Sequence, residues 1–298
     1  MALSIDVIIP SYNRPSRISH LCDRIATLLH KDDSLYVIWQ GDIKPEIPVS
    51  PNIHSLQSSP PNLPRARNRG VSLGHGGICL FFDDDIEIMT NEIIEFHRKA
   101  YSERDIGAVA GYIDDFQLDK RGDKPSMFDE ITGEIVQNFS VNCSQNSVSI
   151  MGATMSFRRQ ALQEVGGFDE NFKSNSLWEE VDCGFRIRKA GWKIFYCSDA
   201  RVKHLRVETG GCRDLREKSA RYIYHQFANT AYFASRFAQP RCYRSWFRFW
   251  KYRLEFLSRK KNFLFKHDWL LVAAGILGAS GGIARYVIHG NKKISYIQ

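Results

Sequence analysis

The sequence predicts an α/β protein built on a mostly parallel, Rossmann-like sheet flanked by helices. Over the first 110 residues, short β-branched or aromatic runs alternate with segments of helical periodicity, as in βαβ units. One such run, Ile78–Phe82, is followed directly by three aspartates. A buried strand cannot hold three charges, so its carboxyl end must open onto water or a ligand, as strand ends do in open α/β sheets.

The elements of the first half follow one another regularly. Strands are expected where short β-branched or aromatic runs occur, at 5–9, 35–39, 52–56, 78–82 and 107–113. Helices are expected where apolar residues recur every three or four positions, at 15–29, 64–73 and 91–102. Pro10 is expected to end the first strand, and a proline-rich turn precedes the second helix.

The second half is less regular. Residues 114–149 are rich in Asp, Asn, Gln and Ser and show little periodicity, so we interpret them as a long excursion that carries substrate contacts. Helical patterns return at 157–165 and 177–190, and each is followed by glycine, a common residue just beyond a helix end. A short strand is expected at 193–197.

Charge divides the chain unevenly. Residues 1–200 have a net charge of −7, whereas residues 201–298 have a net charge of +15. We therefore expect a catalytic or binding body over 1–212 and a basic helical extension over 213–298. The extension should meet an anionic partner, although charge alone does not separate phospholipid from nucleic acid.

The extension contains two predicted helices. Residues 241–260 place aromatic side chains at helical spacing among Arg and Lys, which fits a membrane-surface helix or a helix packed on the body. Residues 269–284 are apolar, contain four glycines and are too short to span a bilayer, so they are expected to be interfacial or packed. An anionic membrane surface bound through 241–285 is thus one predicted partner.

Cysteine usage and the N-terminus bear on location. The seven cysteines are scattered and lack CxxC spacing, which fits free thiols in a reducing compartment and not a zinc site. The first residues lack the basic segment of a signal peptide and run directly into a strand. We expect a cytoplasmic protein, either free or peripheral on the inner face of the membrane.

Polar clusters follow the predicted strands of the first half. The carboxylates of residues 83–85 are the oxygen ligands that Mg²⁺ and Mn²⁺ prefer; an acidic solvated turn is the alternative. Residues 10–14 offer hydrogen-bonding groups and a cation suited to a nucleotide base and phosphate. Arg65, Arg67 and Arg69 would contact phosphate near a nucleotide, or else form an ordinary basic helix face.

Two downstream clusters add further chemistry. Trp178 beside acidic residues at a helix start favours a site wall, where a carboxylate can serve as a general base. The alternative is a set of surface salt bridges, since Asp182 and Arg186 form a favourable i,i+4 pair. His204 is the remaining candidate, because neutral imidazole complements carboxylates around a divalent metal.

These segments, in this order, resemble the pattern of glycosyltransferase family 2 over residues 4 to about 205. The matching stretches are residues 7–14, 65–70, 80–85, 152–159, 166–170, 178–182, Arg186, 190–192, 199–200 and His204. The ordered set is far more specific than any one member. The resemblance implies a GT-A fold and an inverting, metal-dependent enzyme. It would move a sugar from a nucleoside-diphosphate donor to a hydroxyl of a glycan. The basic, aromatic extension adds a lipid-linked glycan at the inner membrane face as a hypothesis for the acceptor.

The resemblance also implies that residues 1–212 form the catalytic domain, with nucleotide-sugar binding in about 1–113 and the acceptor side in about 114–212. It further implies roles for individual residues. Donor and nucleotide binding would fall on Pro10, Tyr12, Asn13, Arg14, Arg67, Asp83 and Asp84. The metal, Mn²⁺ or Mg²⁺, would be held by Asp83, Asp85 and His204. The acceptor side would contain Gly152, Trp178, Glu179 and Asp182. Glu180 stands where the family has its catalytic base.

Two departures from the family pattern matter. The usual base is an aspartate, and Glu180 is longer by one methylene, so the acceptor must sit slightly farther away or the helix must shift. The acidic residue that often ends the second strand is replaced by Trp39, with Asp42 nearby. Which residue recognises the nucleotide base of the donor is therefore left open.

Other functions remain possible on the sequence alone. A metal-dependent nucleotidyl or phosphoryl transferase would use the same aspartates, and a non-enzymatic membrane- or nucleic-acid-binding module would use the basic extension. We expect no nucleic-acid partner. The chain contains neither GxGxxG nor GxxxxGK[ST], which removes support for dinucleotide-binding and P-loop functions.

Overall fold

A computed structural model describes residues 3–115, 122–131, 133–207, 210–211, 220–238, 268–290, 292 and 294–297. Its strands are β1 Ile5–Tyr12, β2 Ser34–Gln40, β3 Ile53–Gln57, β4 Ile78–Phe82, β5 Ile86–Ile88, β6 Ile106–Asp114, β7 Ser126–Asp129, β8 Glu134–Gln137, β9 Gln145–Ser147, β10 Thr154–Arg158 and β11 Lys193–His204. Its helices are α1 Pro15–Ala26, α2 Leu63–Leu73, α3 Ile93–Ala100, α4 Arg159–Glu164, α5 Glu179–Lys189, α6 Ala220–Phe237 and α7 Asp268–Arg285. A π-helical turn, Tyr286–Gly290, follows α7.

One large sheet organises the protein. Its strand order is β3-β2-β1-β4-β10-β6-β11-β5, and β9 pairs with the first residues of β11. Strands β3, β2, β1 and β4 are mutually parallel, as are β6 and β11, whereas β10 runs antiparallel between β4 and β6. Every residue of β4 is buried, as its wholly apolar sequence requires. The α/β class predicted from the sequence is confirmed.

The first strand continues to Tyr12, so the expectation that Pro10 ends it was wrong. The pairing of β1 with β4 stops at Ile8, and beyond that point β1 is paired with β2 alone. Proline lacks an N–H, and a strand tolerates it where one side is free of a ladder. Strand β1 thereby extends beyond the end of β4 and brings residues 10–14 close to the aspartates that follow β4.

The helix predicted at 157–165 begins too early, because Phe157 belongs to strand β10 and the helix starts at Arg159. Phe157 is fully buried between Cys79 and Ala108 of the neighbouring strands. The strand predicted at 193–197 is also longer, since β11 continues to His204 through a register shift between Cys197 and Arg201. That extension carries His204 to the edge of the sheet where β4 ends.

The excursion predicted at 114–149 is partly ordered into strands. Within its described residues, β7 and β8 form an antiparallel pair and β9 joins the main sheet beside β11. Strand β5, which the sequence patterns did not indicate, follows the aspartates directly and pairs antiparallel with the end of β11. This pairing brings His204 opposite Ile86 and therefore next to the acidic turn.

Helix α6 packs against the body. Phe233 lies against Trp178 and Phe185, with ring centroids 6.0 Å and 5.5 Å apart respectively. Helix α7, which falls on the predicted 269–284 segment, packs on α6 through glycines. A Cβ added to Gly278 would lie 2.2 Å from the carbonyl oxygen of Tyr224. The helix predicted at 241–260 lies outside the described residues, and none of the helices described is long and apolar enough to cross a membrane.

Candidate active site

The carboxyl ends of β1 and β4, the end of β11 and the start of α5 surround one cavity. Among the residues predicted to form a site, those that line it are Pro10, Tyr12, Arg14, Arg67, Asp83, Asp84, Asp85, Gly152, Trp178, Glu179, Glu180 and His204. They come from segments separated by nearly 200 positions in the chain. The parallel topology explains their convergence, because strand ends of the same direction meet at one edge of a sheet.

The middle aspartate of the triplet points inward. Asp84 accepts hydrogen bonds from the Ser11 hydroxyl at 2.7 Å and from Arg14 Nη1 at 2.5 Å, and its side chain is buried. Burial raises the pKa of Asp84 to about 6, although Arg14 and Ser11 act in the opposite direction. Asp84 therefore ties the end of β1 to the end of β4 and orients the guanidinium of Arg14.

The outer aspartates face His204. Asp83, Asp85 and His204 each offer one ligand atom, and these three atoms lie within 4.8 Å of one another. Two carboxylate oxygens and one imidazole nitrogen are a donor set that suits Mn²⁺ and related divalent ions. The residues thus fit the cation that the sequence pattern predicts at this strand end.

A second carboxylate fixes the imidazole. His204 Nδ1 lies 2.9 Å from Asp115, and Nε2 lies 3.2 Å from Asp85. Burial lowers the pKa of His204, but the two hydrogen-bonded carboxylates outweigh it and raise this pKa to about 9. The fully buried Asp115 also accepts hydrogen bonds from Arg206 Nε at 2.7 Å. An outer carboxylate that orients a metal-binding histidine is a common arrangement.

The buried arginine of α2 links the acidic turn to α5. Arg67 forms an ion pair with Glu179, and both side chains are almost completely buried. Its other terminal nitrogen lies 3.1 Å from Asp83. Gly152 provides the space for this group, because an added Cβ would lie 2.8 Å from Arg67 Nη2. The carboxylate of Glu179 is therefore held in an ion pair with Arg67.

The two glutamates at the start of α5 have different surroundings. Both residues line the cavity, but Glu179 is buried whereas Glu180 is partly exposed. Trp178 precedes them in the left-handed conformation, with φ of 76°, and its ring forms part of the cavity wall. Of the two carboxylates, Glu180 is the one placed to meet a molecule entering the cavity.

Asn13 and Asp182 do not line the cavity. Asn13 adopts φ of 53° and donates its N–H to the carbonyl of Gln40 at 3.1 Å, so it shapes the turn after β1. Asp182 is fully buried and pairs with Arg186, as the i,i+4 spacing predicts, and with Arg236 of α6. Neither residue therefore belongs to the cavity lining: Asn13 is exposed in the turn after β1, and Asp182 is buried.

Sequence patterns did not identify Asp115 or the contacts of α6. Asp114 is the last residue of the largely buried strand β6 and Asp115 follows it directly, as the triplet follows β4, so the same strand-end argument could have found Asp115. The contacts that α6 makes near Trp178 and Asp182 left no comparable signal, because they join segments about 50 positions apart.

Comparisons with known proteins show the family of the chain. The family model described as "Glycosyltransferase like family 2" matches residues 4–225. O-antigen chain rhamnosyltransferase RfbN of Salmonella typhimurium is 24% identical over 215 residues, which cover 68% of this chain and 66% of the relative. An N-acetylglucosaminyl-diphospho-decaprenol L-rhamnosyltransferase of Mycobacterium tuberculosis is 39% identical over 62 residues, 21% of this chain and 20% of the relative. The chain thus spans less than two thirds of either relative.

Two solved structures share the fold. A mannosyltransferase PcManGT from Pyrobaculum calidifontis in complex with GDP-Man and Mn²⁺ has a TM-score of 0.54 at 12% identity, over 98% of this chain and 77% of that one. A structure of GalNAc-T7 with UDP, GalNAc and Mn²⁺ has a TM-score of 0.63 at 13% identity, over 97% of this chain and 58% of that one. At such low identity the likeness concerns the fold alone.

Proposed function

The chain belongs to the glycosyltransferase-like family 2, and from that premise we propose that it is a metal-dependent, inverting glycosyltransferase using a nucleoside-diphosphate sugar. The observation that carries the proposal is the shared cavity, where the Asp83, Asp85 and His204 cluster faces the same space as the carboxylate of Glu180. A cation site beside an accessible carboxylate suits transfer from a diphosphate-linked sugar to a hydroxyl.

The donor side consists of Asp83, Asp85, His204, Arg14 and Arg67. The first three would hold the divalent ion, whose charge, when it is bound, offsets the negative charge that develops on the leaving diphosphate. Arg14 is oriented toward the same region by its ion pairs with Asp84 and Asp85. Arg67, held by Glu179, keeps Asp83 in place. These fixed charges need no rearrangement as the leaving group departs.

The acceptor side consists of Glu180 and the wall around Trp178. Glu180 would take the proton from an acceptor hydroxyl, which then attacks the anomeric carbon on the face opposite the diphosphate. A single displacement of this kind inverts the anomeric centre. Glu179 cannot share the role, because its carboxylate is buried against Arg67.

The relatives favour a rhamnosyl donor and a lipid-linked acceptor. Both curated relatives are named as rhamnosyltransferases, and the name of one specifies a diphospho-decaprenol acceptor. We therefore place a nucleoside-diphosphate rhamnose first among donors and a polyprenyl-diphosphate glycan first among acceptors.

Thermal unfolding with a panel of nucleotide sugars tests the donor. We expect one nucleotide sugar to raise the melting temperature in the presence of Mn²⁺ and not in its absence, because a bound ligand stabilises the folded state by about 2.7 kcal/mol at a concentration of 100 Kd. That donor should then be consumed in the presence of a glycan acceptor. Formation of a nucleotide sugar from a sugar phosphate, without transfer, would refute the proposal and favour a nucleotidyl transferase.

We further propose that α7 rests on an anionic bilayer at the inner face of the membrane. One face of α7 and the turn after it is apolar and exposed, with Ile276, Leu277, Ile283, Val287 and Ile288 between 42% and 75% exposed. The opposite face is fixed on α6, since a Cβ on Gly282 would lie 2.2 Å from the carbonyl oxygen of Ala228. Residues 241–267, which precede α7, contain nine Lys or Arg and one Glu. An apolar face that follows such a basic segment in the sequence fits anionic lipid.

Vesicle flotation tests this surface. The wild-type protein is expected to float with vesicles that contain phosphatidylglycerol and to stay in solution with pure phosphatidylcholine. Replacing Ile276, Leu277 and Ile288 by serine should reduce flotation severalfold, since each exposed apolar side chain adds burial in the interface. The matched control replaces Ile43 and Val49 by serine in the same way. These two residues are 69% and 104% exposed and lie far from α7 in the sequence, so this variant should float like wild type. Equal flotation of both variants would contradict the surface assignment.

A further inference from the structure

The wall of the cavity next to Glu180 is a conformationally strained loop. Residues 174, 176 and 178 of this loop are not glycine, yet all have positive φ, at 58°, 48° and 76°. Side chains disfavour that region, and such a conformation persists only where surrounding contacts impose it. Residues 175–178 line the cavity and lead directly into α5. What holds this loop therefore bears on where Glu180 lies.

The first contact comes from Asn229 of α6, which is fully buried. Its amide nitrogen donates to the carbonyl of Lys173 at 2.9 Å and to Asn175 Oδ1 at 3.2 Å. Its amide oxygen accepts from the N–H of Lys173 at 3.3 Å and from Arg285 of α7 at 2.9 Å. A side-chain amide has two donors and two acceptor positions, so every one of them is used here.

The second contact comes from the next residue, Thr230. Its hydroxyl accepts a hydrogen bond from Trp178 Nε1 at 3.0 Å and donates to the carbonyl of Gln226 at 2.8 Å. The ring of Trp178 stacks on Phe233 one turn further along α6, with planes inclined by 29°. The indole is thereby fixed in both position and tilt.

The loop transmits this anchoring to α5. The carbonyl of Trp178 accepts the N–H of Asp182 at 2.8 Å, and the carbonyl of Ser176 accepts the N–H of Glu179 at 3.1 Å. These bonds form the first turn of the helix that carries Glu180. Arg236 of α6 binds the same turn through Asp182 and also pairs with Asp169. A displacement of the loop would therefore move the carboxylate of Glu180.

We propose that Asn229 and Thr230 are positioning residues, which hold the wall formed by residues 174–178 and so set the place of Glu180 against the acceptor. The inference rests on the proposed function for its effect on catalysis. Both residues lie beyond position 225, where the match to the family ends. The catalytic unit of this protein accordingly includes the part of α6 that follows the matched residues.

The test uses Thr230→Val, which keeps the volume and removes the acceptor of the indole N–H. We expect kcat to fall by about tenfold to a hundredfold with little change in the KM for the donor, because small displacements of a catalytic group have effects of that order. Amide hydrogen exchange over residues 173–179 should be faster than in wild type. Thr230→Ser should restore both the rate and the exchange protection.

Ile223→Val is the matched control, since Ile223 is a buried residue of α6 that packs with Phe227 and Ala274 and not on the loop. It should leave kcat and the exchange of residues 173–179 as in wild type. A Thr230→Val enzyme with wild-type kcat, or one whose exchange rises equally throughout the chain, would overturn the proposal. A wild-type protein that transfers no sugar would refute the proposed function, whereas faster exchange confined to 173–179 would still support the anchoring.

Discussion

Glu180→Gln is expected to lower the rate of sugar transfer by about 10³-fold while the protein still binds the donor. The amide keeps the size and hydrogen-bonding reach of the side chain but cannot accept a proton, and general base catalysis contributes about 10²- to 10⁴-fold. The cluster of Asp83, Asp85 and His204 is untouched by the change. Initial rates with the donor found in the panel, together with the donor dissociation constant, measure the two effects separately.

Glu180→Asp provides the matched control. It restores the residue that the family usually has at this position and keeps the carboxylate, but it withdraws the carboxylate by one methylene. We expect it to retain far more activity than the glutamine variant, with a rate below wild type because the base then lies farther from a site shaped for glutamate. Full activity of Glu180→Gln would contradict the assignment of the base.

The fold could be predicted from the sequence wherever a pattern is local. The run at 78–82 is apolar throughout, and its two ends coincide with those of β4. Phe157 and Arg158, in contrast, adjoin a true helix and share its local pattern, and only the pairing of Phe157 with β4 and β6 and of Arg158 with β4 makes them a strand. Pro10 was expected to end β1, but a free strand side, which is a property of the sheet, removes the reason for ending there.

The site could be predicted as far as strand ends determine it. The acidic turn after β4 and the end of β1 converge because parallel strands bring their carboxyl ends together. Sequence spacing cannot tell which carboxylate a buried arginine will use, so the contrast between Glu179, paired with Arg67, and Glu180, facing the cavity, required the packed structure. The burial of Asp182 could not be predicted for the same reason, since its ion-pair partner Arg236 lies about 50 positions later in the chain.

Asp85→Asn is expected to lower the affinity for Mn²⁺ and the rate of transfer by at least about 100-fold. The substitution keeps the shape of the side chain and removes one of the two carboxylates of the cluster with His204. Changes to residues that only orient a metal ligand typically cost 10- to 100-fold, so the loss of a ligand should reach or exceed that range. Isothermal titration with Mn²⁺ and rates measured over a range of Mn²⁺ concentrations provide the two readouts.

Two further variants separate a metal site from a plain ion-pair network. Asp115→Asn should weaken Mn²⁺ binding less than Asp85→Asn, because Asp115 orients His204 without joining the cluster. Asp105→Asn, a change of the same chemistry at an exposed ion pair with Lys193, should have no effect on Mn²⁺. If Asp85 served only to hold Arg14 and His204, its replacement would lower the melting temperature and leave the Mn²⁺ dependence at its wild-type value. Only a cation bound between these carboxylates predicts a graded loss in which Asp85 exceeds Asp115 and Asp115 exceeds Asp105.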